Sequence, residues 1–424
     1  MRLYKKNVLQ LIRAVYTSIL LELIGVTFSF NMELVNSFRK KQGLTVAVTD
    51  YSLRVDKIAL KCKFSMKMFS CLFCLFFSTC VMAQQKAERI IVITTDGFRW
   101  QELFTGMDSA IANQKKHHQG DSAEIFKSYW HEDPIQRRKL LMPFFWNTLM
   151  TKGQVFGNRQ YGNYVNTANP FRFSYPGYNE IFTGYPDTAI NSNEHPPNPH
   201  VTVLEFLHQQ ASYKNKVAAF GAWEAFGRIL NEERAGFPVV ASFDTVSGGT
   251  LTPRQLLVNK MLSDSYKPWG ESECLDLFTH YAAIEYLKTQ KPKVLYISYG
   301  ETDEWAHAGY YRDYLNAAHQ LDKWLKELWN FVQNDPAYKN KTALLITTDH
   351  GRGYNEEWTK HGKTVVGADE MWIAVVAPDV PAKGEIKTKM QLYQQQVAAT
   401  IANLLGKEFK AKHPVAKGLM DVLK

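Results

Sequence analysis

From residue 89 onward the hydrophobic pattern alternates between two periods. Ile90-Ile91-Val92-Ile93-Thr94 is an unbroken β-branched run, as in a strand covered on both faces. Lys216–Ala222, Lys293–Ser298, Ala343–Thr348 and Met371–Ala377 also read as strands. Helical spacing fills the stretches Val201–Gln210, Cys274–Gln290 and Gln391–Leu405. The longest helical stretch, Tyr311–Asn334, puts Tyr314, Ala318, Leu321, Leu325, Leu328 and Val332 on one side. This rhythm predicts an α/β fold, a mostly parallel central sheet with helices on both faces. Ligands of such sheets bind at the carboxyl ends of the strands. Residues 107–170 and 225–272 break the rhythm and are rich in Asn, Gly, Pro, His and aromatics. They predict irregular cap or loop insertions over the site.

Composition changes this picture in one respect. With 45% hydrophobic and 21% charged residues the chain is globular. The net charge of +9 would suggest a nucleic acid or an anionic membrane, but it is unevenly placed. Met1–Ala83 holds twelve Lys/Arg and four Asp/Glu, a charge of +8, which leaves +1 for the rest. The body has no basic run longer than three, so binding of a nucleic acid duplex is not expected. Four of the five cysteines, Cys62, Cys71, Cys74 and Cys80, also lie in this leader. Cys274 stands alone, so the body has no disulfide framework.

Met66–Ala83 has the form of a secretory signal peptide: Lys67, an apolar run, then Val81-Met82-Ala83 before Gln84. The run Met68–Met82 is 15 residues, short of the roughly 20 of a membrane span. The expectation is a periplasmic or secreted protein with no membrane span in its mature form. Residues 1–65 are expected to be an over-extended reading frame, with translation from Met66 or Met68. Residues 84–424 are expected to form a single catalytic domain.

Three predicted strands run into acids and histidines. The first ends at Thr95-Asp96-Gly97. Another continues through Gly300-Glu301-Thr302-Asp303 to His307. The next reaches Asp349-His350-Gly351, with His361-Gly362 beyond. Carboxylate oxygen and imidazole nitrogen are common zinc ligands. Three carboxylates buried together need a cation to balance them. Each motif alone is an ordinary turn or helix start; the three in order, after apolar strands, point to a metal site. A fourth element, Phe173-Ser174-Tyr175-Pro176-Gly177-Tyr178, puts a serine at a proline turn that opens a helix. Ser174 reads either as the N-cap of that helix or as a nucleophile beside an anion-binding N-terminus. The metal-type residues favour the second reading.

This set resembles the alkaline phosphatase superfamily, most closely its nucleotide pyrophosphatase/phosphodiesterase-like and bacterial secreted phosphatase branch. The resemblance runs from Arg89 to about Val380. It implies a site for two divalent metal ions, zinc or alternatively manganese. Asp96, Ser174, Asp349 and His350 match the ligands of one ion; Asp303, His307 and His361 match those of the other. Ser174 is implied as the nucleophile that forms a phosphoserine. Asn193, with Asn191 as its competitor, falls near the family asparagine that holds phosphoryl oxygens, and the Tyr175 N–H is implied as a second contact.

The implied function is a secreted phosphomonoesterase or phosphodiesterase acting on a small phosphate ester. The alternatives are a phosphoryl-transferring mutase or transferase, a sulfatase and a non-catalytic binding protein. A sulfatase is disfavoured because Tyr178 stands where the sulfatase turn carries Arg, and no Cys is present there. Arg99 and Arg172 are expected in salt bridges, and Trp100, Trp223 and Trp305 in packing.

Overall fold

A computed structural model describes residues 86–424, all within one compact unit, Ala83–Lys424. The expected signal peptide and residues 1–65 lie outside the described residues. Among those described, no helix is long and apolar enough to cross a membrane.

Ten strands form among the described residues, in chain order: β1 (Arg89–Thr95), β2 (Gln154–Phe156), β3 (Asn163–Asn166), β4 (Val217–Gly221), β5 (Val239–Ala241), β6 (Val294–Tyr299), β7 (Thr342–Thr347), β8 (Ile373–Val376), β9 (Gly384–Glu385) and β10 (Met390–Tyr393). Eight of them build the main sheet in the order β5-β4-β6-β1-β7-β8-β2-β9. All its pairings are parallel except those of β8, which runs antiparallel to β7 and β2. The residues between β7 and β8 form no helix beyond the 3₁₀ turn Asn355–Thr359 and carry His350 and His361 at the carboxyl end of β7, from which the chain returns antiparallel as β8.

Successive residues of β1 point to opposite faces. Ile91 and Ile93 join the core under the long helix Tyr311–Asn334, through its buried Tyr314, Ala318, Leu321, Leu325 and Leu328. Ile90 and Val92 join the opposite core, beneath the helices Ser174–Thr183, Val203–Gln209 and Gln396–Leu404. Burial on both faces is why these strands read as continuous apolar runs. The register then sets the chemistry. Thr94 pairs with Thr347 and Thr95 with Tyr299. Asp96 therefore comes level with Asp349 and lies beside the turn that leads to Asp303.

Three segments differ from the sequence pattern. The stretch expected as one helix, Gln391–Leu405, is strand β10 followed by the helix Gln396–Leu404. β10 pairs with β3 in a separate two-stranded sheet, and its four residues are too few to show a period. The expected insertion 107–170 holds short helices, among them Ser122–Tyr129 and Pro134–Leu141, and supplies β2 to the main sheet. The second, 225–272, supplies the edge strand β5 and the helix Pro253–Asp264, started by a Thr252–Gln255 capping box.

Candidate metal centre

The site lies at the carboxyl ends of β1, β6 and β7. Asp96 follows β1, and its Oδ2 accepts from the Tyr178 hydroxyl at 3.0 Å. Asp349 follows β7, and its Oδ1 accepts from the Gly97 N–H at 3.1 Å. The other oxygen of each, Asp96 Oδ1 and Asp349 Oδ2, is buried with no hydrogen-bond partner. Both face the His350 ring: Nε2 lies 3.2 Å from Asp96 Oδ1 and 3.4 Å from Asp349 Oδ2. His350 Nδ1 lies 2.9 Å from the Gly351 carbonyl, so in the neutral ring the proton sits there and Nε2 is left to present a lone pair to a cation. Two orphaned carboxylate oxygens and one free imidazole nitrogen thus converge.

Ser174 completes this group. Its Oγ is 3.3 Å from His350 Nε2. The N-cap reading of Ser174 fails: Phe173 holds the cap position, no side chain caps the helix, and Ser174 is its first residue. Pro176 sits in the first turn, where a missing N–H costs nothing. Gly177 allows the helix to press against the carbonyl of Asp349, which an added Cβ would strike. The approach to Ser174 is fixed by Glu180, whose carboxylate accepts from the N–H groups of Ala168, Asn169 and Gln395.

A second cluster lies alongside. Asp303 and His307 stand one turn apart on the helix Glu301–His307, with Asp303 Oδ2 at 3.0 Å from His307 Nε2. His361 Nε2 lies 2.9 Å from His307 Nε2 and 3.9 Å from Asp303 Oδ2. The His350 and His361 rings stack with centroids 4.0 Å apart, and His350 Nε2 is 3.8 Å from Asp303 Oδ1. Donor atoms of Asp96, Asp349 and His350 lie within 4.8 Å of one another, as do those of Asp303, His350 and His361. His350 is common to both groups.

The charges explain what this arrangement calls for. Burial pushes the Asp96 and Asp349 carboxyls up, and the neighbouring carboxylates push them further. Burial opposes a charged His350, but Asp349, Asp96 and Asp303 outweigh it and raise it to about 9. The site thus gathers positive charge in the only form available to it, protons. A divalent cation answers the same need, and the oxygen and nitrogen donors suit zinc or manganese. The residues present therefore fit the metal ions that the resemblance implies.

All seven residues singled out as metal ligands from the sequence are brought together. Asn193 also arrives, since the Tyr175 N–H donates to its Oδ1 at 3.0 Å, whereas Asn191 is exposed. The expected role of the Tyr175 N–H as a direct substrate contact changes accordingly, since it holds Asn193 instead. Arg99 is buried in an ion pair with Glu102, and Arg172 lies 3.6 Å from Asp369. Trp100 donates to Glu370, Trp223 is half-buried, and Trp305 packs edge-on against Trp269.

Three features escaped the sequence reading. Arg352 is fully buried and bonds Asp303 together with the carbonyls of Trp358 and Thr359, joining one cluster to the loop that carries His361. The only local signal was an Arg two residues past His350. Asp276 accepts from the N–H groups of Gly300 and Glu301, anchoring the helix that carries Asp303. Glu273 and Glu304 lie near the Asp303 end of the site, where burial, with the charge of Asp303, pushes Glu304 up to about 7.

Comparison with known proteins adds a family match over part of the chain and a likeness of fold. Residues 272–408 match the family model described as the Metalloenzyme superfamily. No curated protein sequence matches the chain. The chain is similar in structure to the alkaline phosphatase PafA, at TM-score 0.50 and 10% identity, over 80% of this chain and 99% of that one. It is similar to a phosphonate monoester hydrolase of Agrobacterium radiobacter, at TM-score 0.50 and 12% identity, over 79% and 77% of the two chains. A proposed sulfatase from Bacteroides thetaiotaomicron gives TM-score 0.51 and 12% identity, over 80% and 75%. At these identities the likeness is one of fold.

Proposed function

We propose, for a chain whose residues 272–408 carry the Metalloenzyme superfamily match and whose fold is alkaline-phosphatase-like, that it hydrolyses phosphoric esters through Ser174. The observation that carries this reading is the convergence on His350 Nε2 of Ser174 Oγ and the partnerless oxygens of Asp96 and Asp349. Asp96, Ser174, Asp349 and His350 would hold one divalent ion; Asp303, His307 and His361 would hold the other. Such ions, when bound, supply Lewis acidity that favours an alkoxide or hydroxide and offsets charge on the transferred group.

The chain's own residues do the rest. Ser174 sits on the rigid first turn of its helix, so its Oγ is aimed before substrate arrives. Oγ attacks phosphorus in line, an Oγ–P bond forms, and the ester oxygen leaves. Water then attacks the same phosphorus from the vacated side, and the Oγ–P bond breaks to release phosphate and restore Ser174. Asn193 Nδ2 offers two N–H bonds to a non-bridging oxygen, because the Tyr175 N–H has claimed its Oδ1.

A sulfate ester is the second reading, one that the sulfatase-type fold neighbour supports. Against it, Ser174 stands at the turn without a cysteine, and the Tyr178 hydroxyl is engaged with Asp96 and Ser298. The deciding assay measures initial rates on p-nitrophenyl phosphate, bis-p-nitrophenyl phosphate and p-nitrophenyl sulfate, with and without chelator. Turnover of a phosphate ester that chelation abolishes supports the reading. Turnover of the sulfate alone replaces it. Secretion belongs to the same proposal: a mature N-terminus at Gln84 in protein from the native host would support the signal peptide, and peptides from residues 1–60 would remove it.

A further inference from the structure

Asn193 lies in a stretch without helix or strand, Ile190–His200, so its backbone does not position itself. Something must hold it against the nucleophile helix. Two bonds touch Asn193 directly. The Tyr175 N–H can only donate, so the carboxamide must turn its Oδ1 toward it, and this fixes which way the amide faces. The second bond comes from Arg228, whose Nη1 donates to the carbonyls of Asn193 and His195, each at 3.0 Å.

Arg228 is itself held. It belongs to the short helix Phe226–Ile229, which follows β4 after a few residues. Its Nη2 donates to Glu224 Oε1 at 2.7 Å, one turn back, and its own carbonyl accepts from the Asn198 N–H at 2.9 Å. The guanidinium thus ties an irregular loop to the carboxyl edge of the sheet, and its planar fork keeps its direction. The Asn193 carboxamide is caught between two fixed points: the sheet through Arg228 on the main-chain side, and the Ser174 helix through the Tyr175 N–H on the side-chain side.

We propose that Arg228 is a positioning residue, which holds the 193–195 turn so that Asn193 presents Nδ2 to the group transferred to Ser174. The inference rests on the Ser174 hydrolase reading above. It does not make Arg228 a substrate ligand: its bonds to Asn193 and His195 are spent on main-chain carbonyls. Arg228 therefore acts only through Asn193, and the two substitutions must not add.

The test is a cycle in the full-length, metal-loaded protein: wild type, Arg228→Ala, Asn193→Ala and the double variant. kcat and KM are measured on the fastest ester of the panel, together with metal content and melting temperature. Asn193→Ala is expected to lower kcat about 10²-fold, as loss of one oxyanion donor does. Arg228→Ala is expected to lower kcat about 10-fold, with metal content and melting temperature near wild type. The double variant should be no slower than Asn193→Ala, and millimolar guanidinium should restore part of the loss in Arg228→Ala only. A double variant whose loss is the product of the single losses overturns the proposal and leaves the hydrolase reading standing. So does an Arg228→Ala enzyme with full kcat. An Asn193→Ala enzyme with full kcat overturns it too, since Arg228 would have nothing to position. A wild type inactive on every ester of the panel removes the hydrolase reading and this inference together, and that outcome is distinct from the others.

Discussion

The two halves of the site carry opposite electrostatics. Asp96, Asp349 and His350, at the ends of β1 and β7, are all pushed toward their protonated forms. Asp303 and His361 go the other way. Burial would raise the Asp303 carboxyl, but Arg352, His307 and His361 together hold it well below its ordinary range. Burial and the charge on His350 push His361 down. One half is an unbalanced anion store; the other brings its own cation, Arg352. They also differ in access. The Asp349 and His350 side chains are fully buried, whereas the His307 side chain is 45% exposed. A site built this way would grip an ion firmly on the strand-end side and exchange one more readily on the helix side.

The largest effect is expected from loss of the proposed nucleophile. Ser174→Ala should cost on the order of 10⁴–10⁶-fold in kcat, while metal content measured by mass spectrometry stays at the wild-type level. A variant that keeps near-wild-type turnover would remove Ser174 from its role.

The halves are separated by the next pair. Asp349→Asn takes a charge from the anion store, and should lower metal content and activity together, with activity down about 10²-fold or more. His307→Ala, on the exposed helix side, should also lower metal content, but move unfolding free energy by only about 0.5 kcal/mol in denaturant titrations. Equal losses of metal and stability in both would contradict the asymmetry.

The pH response sharpens it further. His350 is raised from 6.5 to about 9 in the folded metal-free protein. The folded state then holds a proton that the unfolded state has released. That contribution is fully present below pH 6.5 and is lost as pH rises toward 9, up to about 3 kcal/mol. The lowered His361 has the opposite sign, and its contribution is complete once pH exceeds 6.5. Between pH 6.5 and 9 the metal-free protein should therefore melt at falling temperature, and the metal-loaded protein should not. A flat metal-free profile would mean that the strand-end half is balanced already.

The smallest effect concerns support of the ligands. Tyr178→Phe removes the hydroxyl that donates to Asp96 Oδ2, and should cost about 1 kcal/mol of stability with a few-fold loss in activity. A loss as large as that of Asp349→Asn would give Tyr178 a more direct part.

The strand-end half was also the more legible in the sequence. Ile90–Thr94 and Ala343–Thr348 are apolar runs, Asp96 and Asp349 follow them directly, and a parallel register of adjacent strands brings such residues level. Asp303 and His307 carry helical spacing, so one face of one helix could be read for them too. What stayed hidden depends on chain reversals without a period. Arg352 bonds carbonyls six and seven residues ahead, across the 3₁₀ turn Asn355–Thr359. Arg228 reaches Asn193 across 35 residues. Neither distance leaves a mark in a hydrophobic pattern. β10 and the short helices of 107–170 were hidden for another reason, since three to eight residues do not establish a period.

The central claim is that these residues hold two divalent ions that hydrolysis requires. The most direct test is metal analysis of the purified, catalytically active protein, before and after chelation. The expected result is about two transition-metal ions per chain, lost with activity on chelation and regained with it on addition of zinc or manganese. Full activity in protein free of transition metal would contradict the claim.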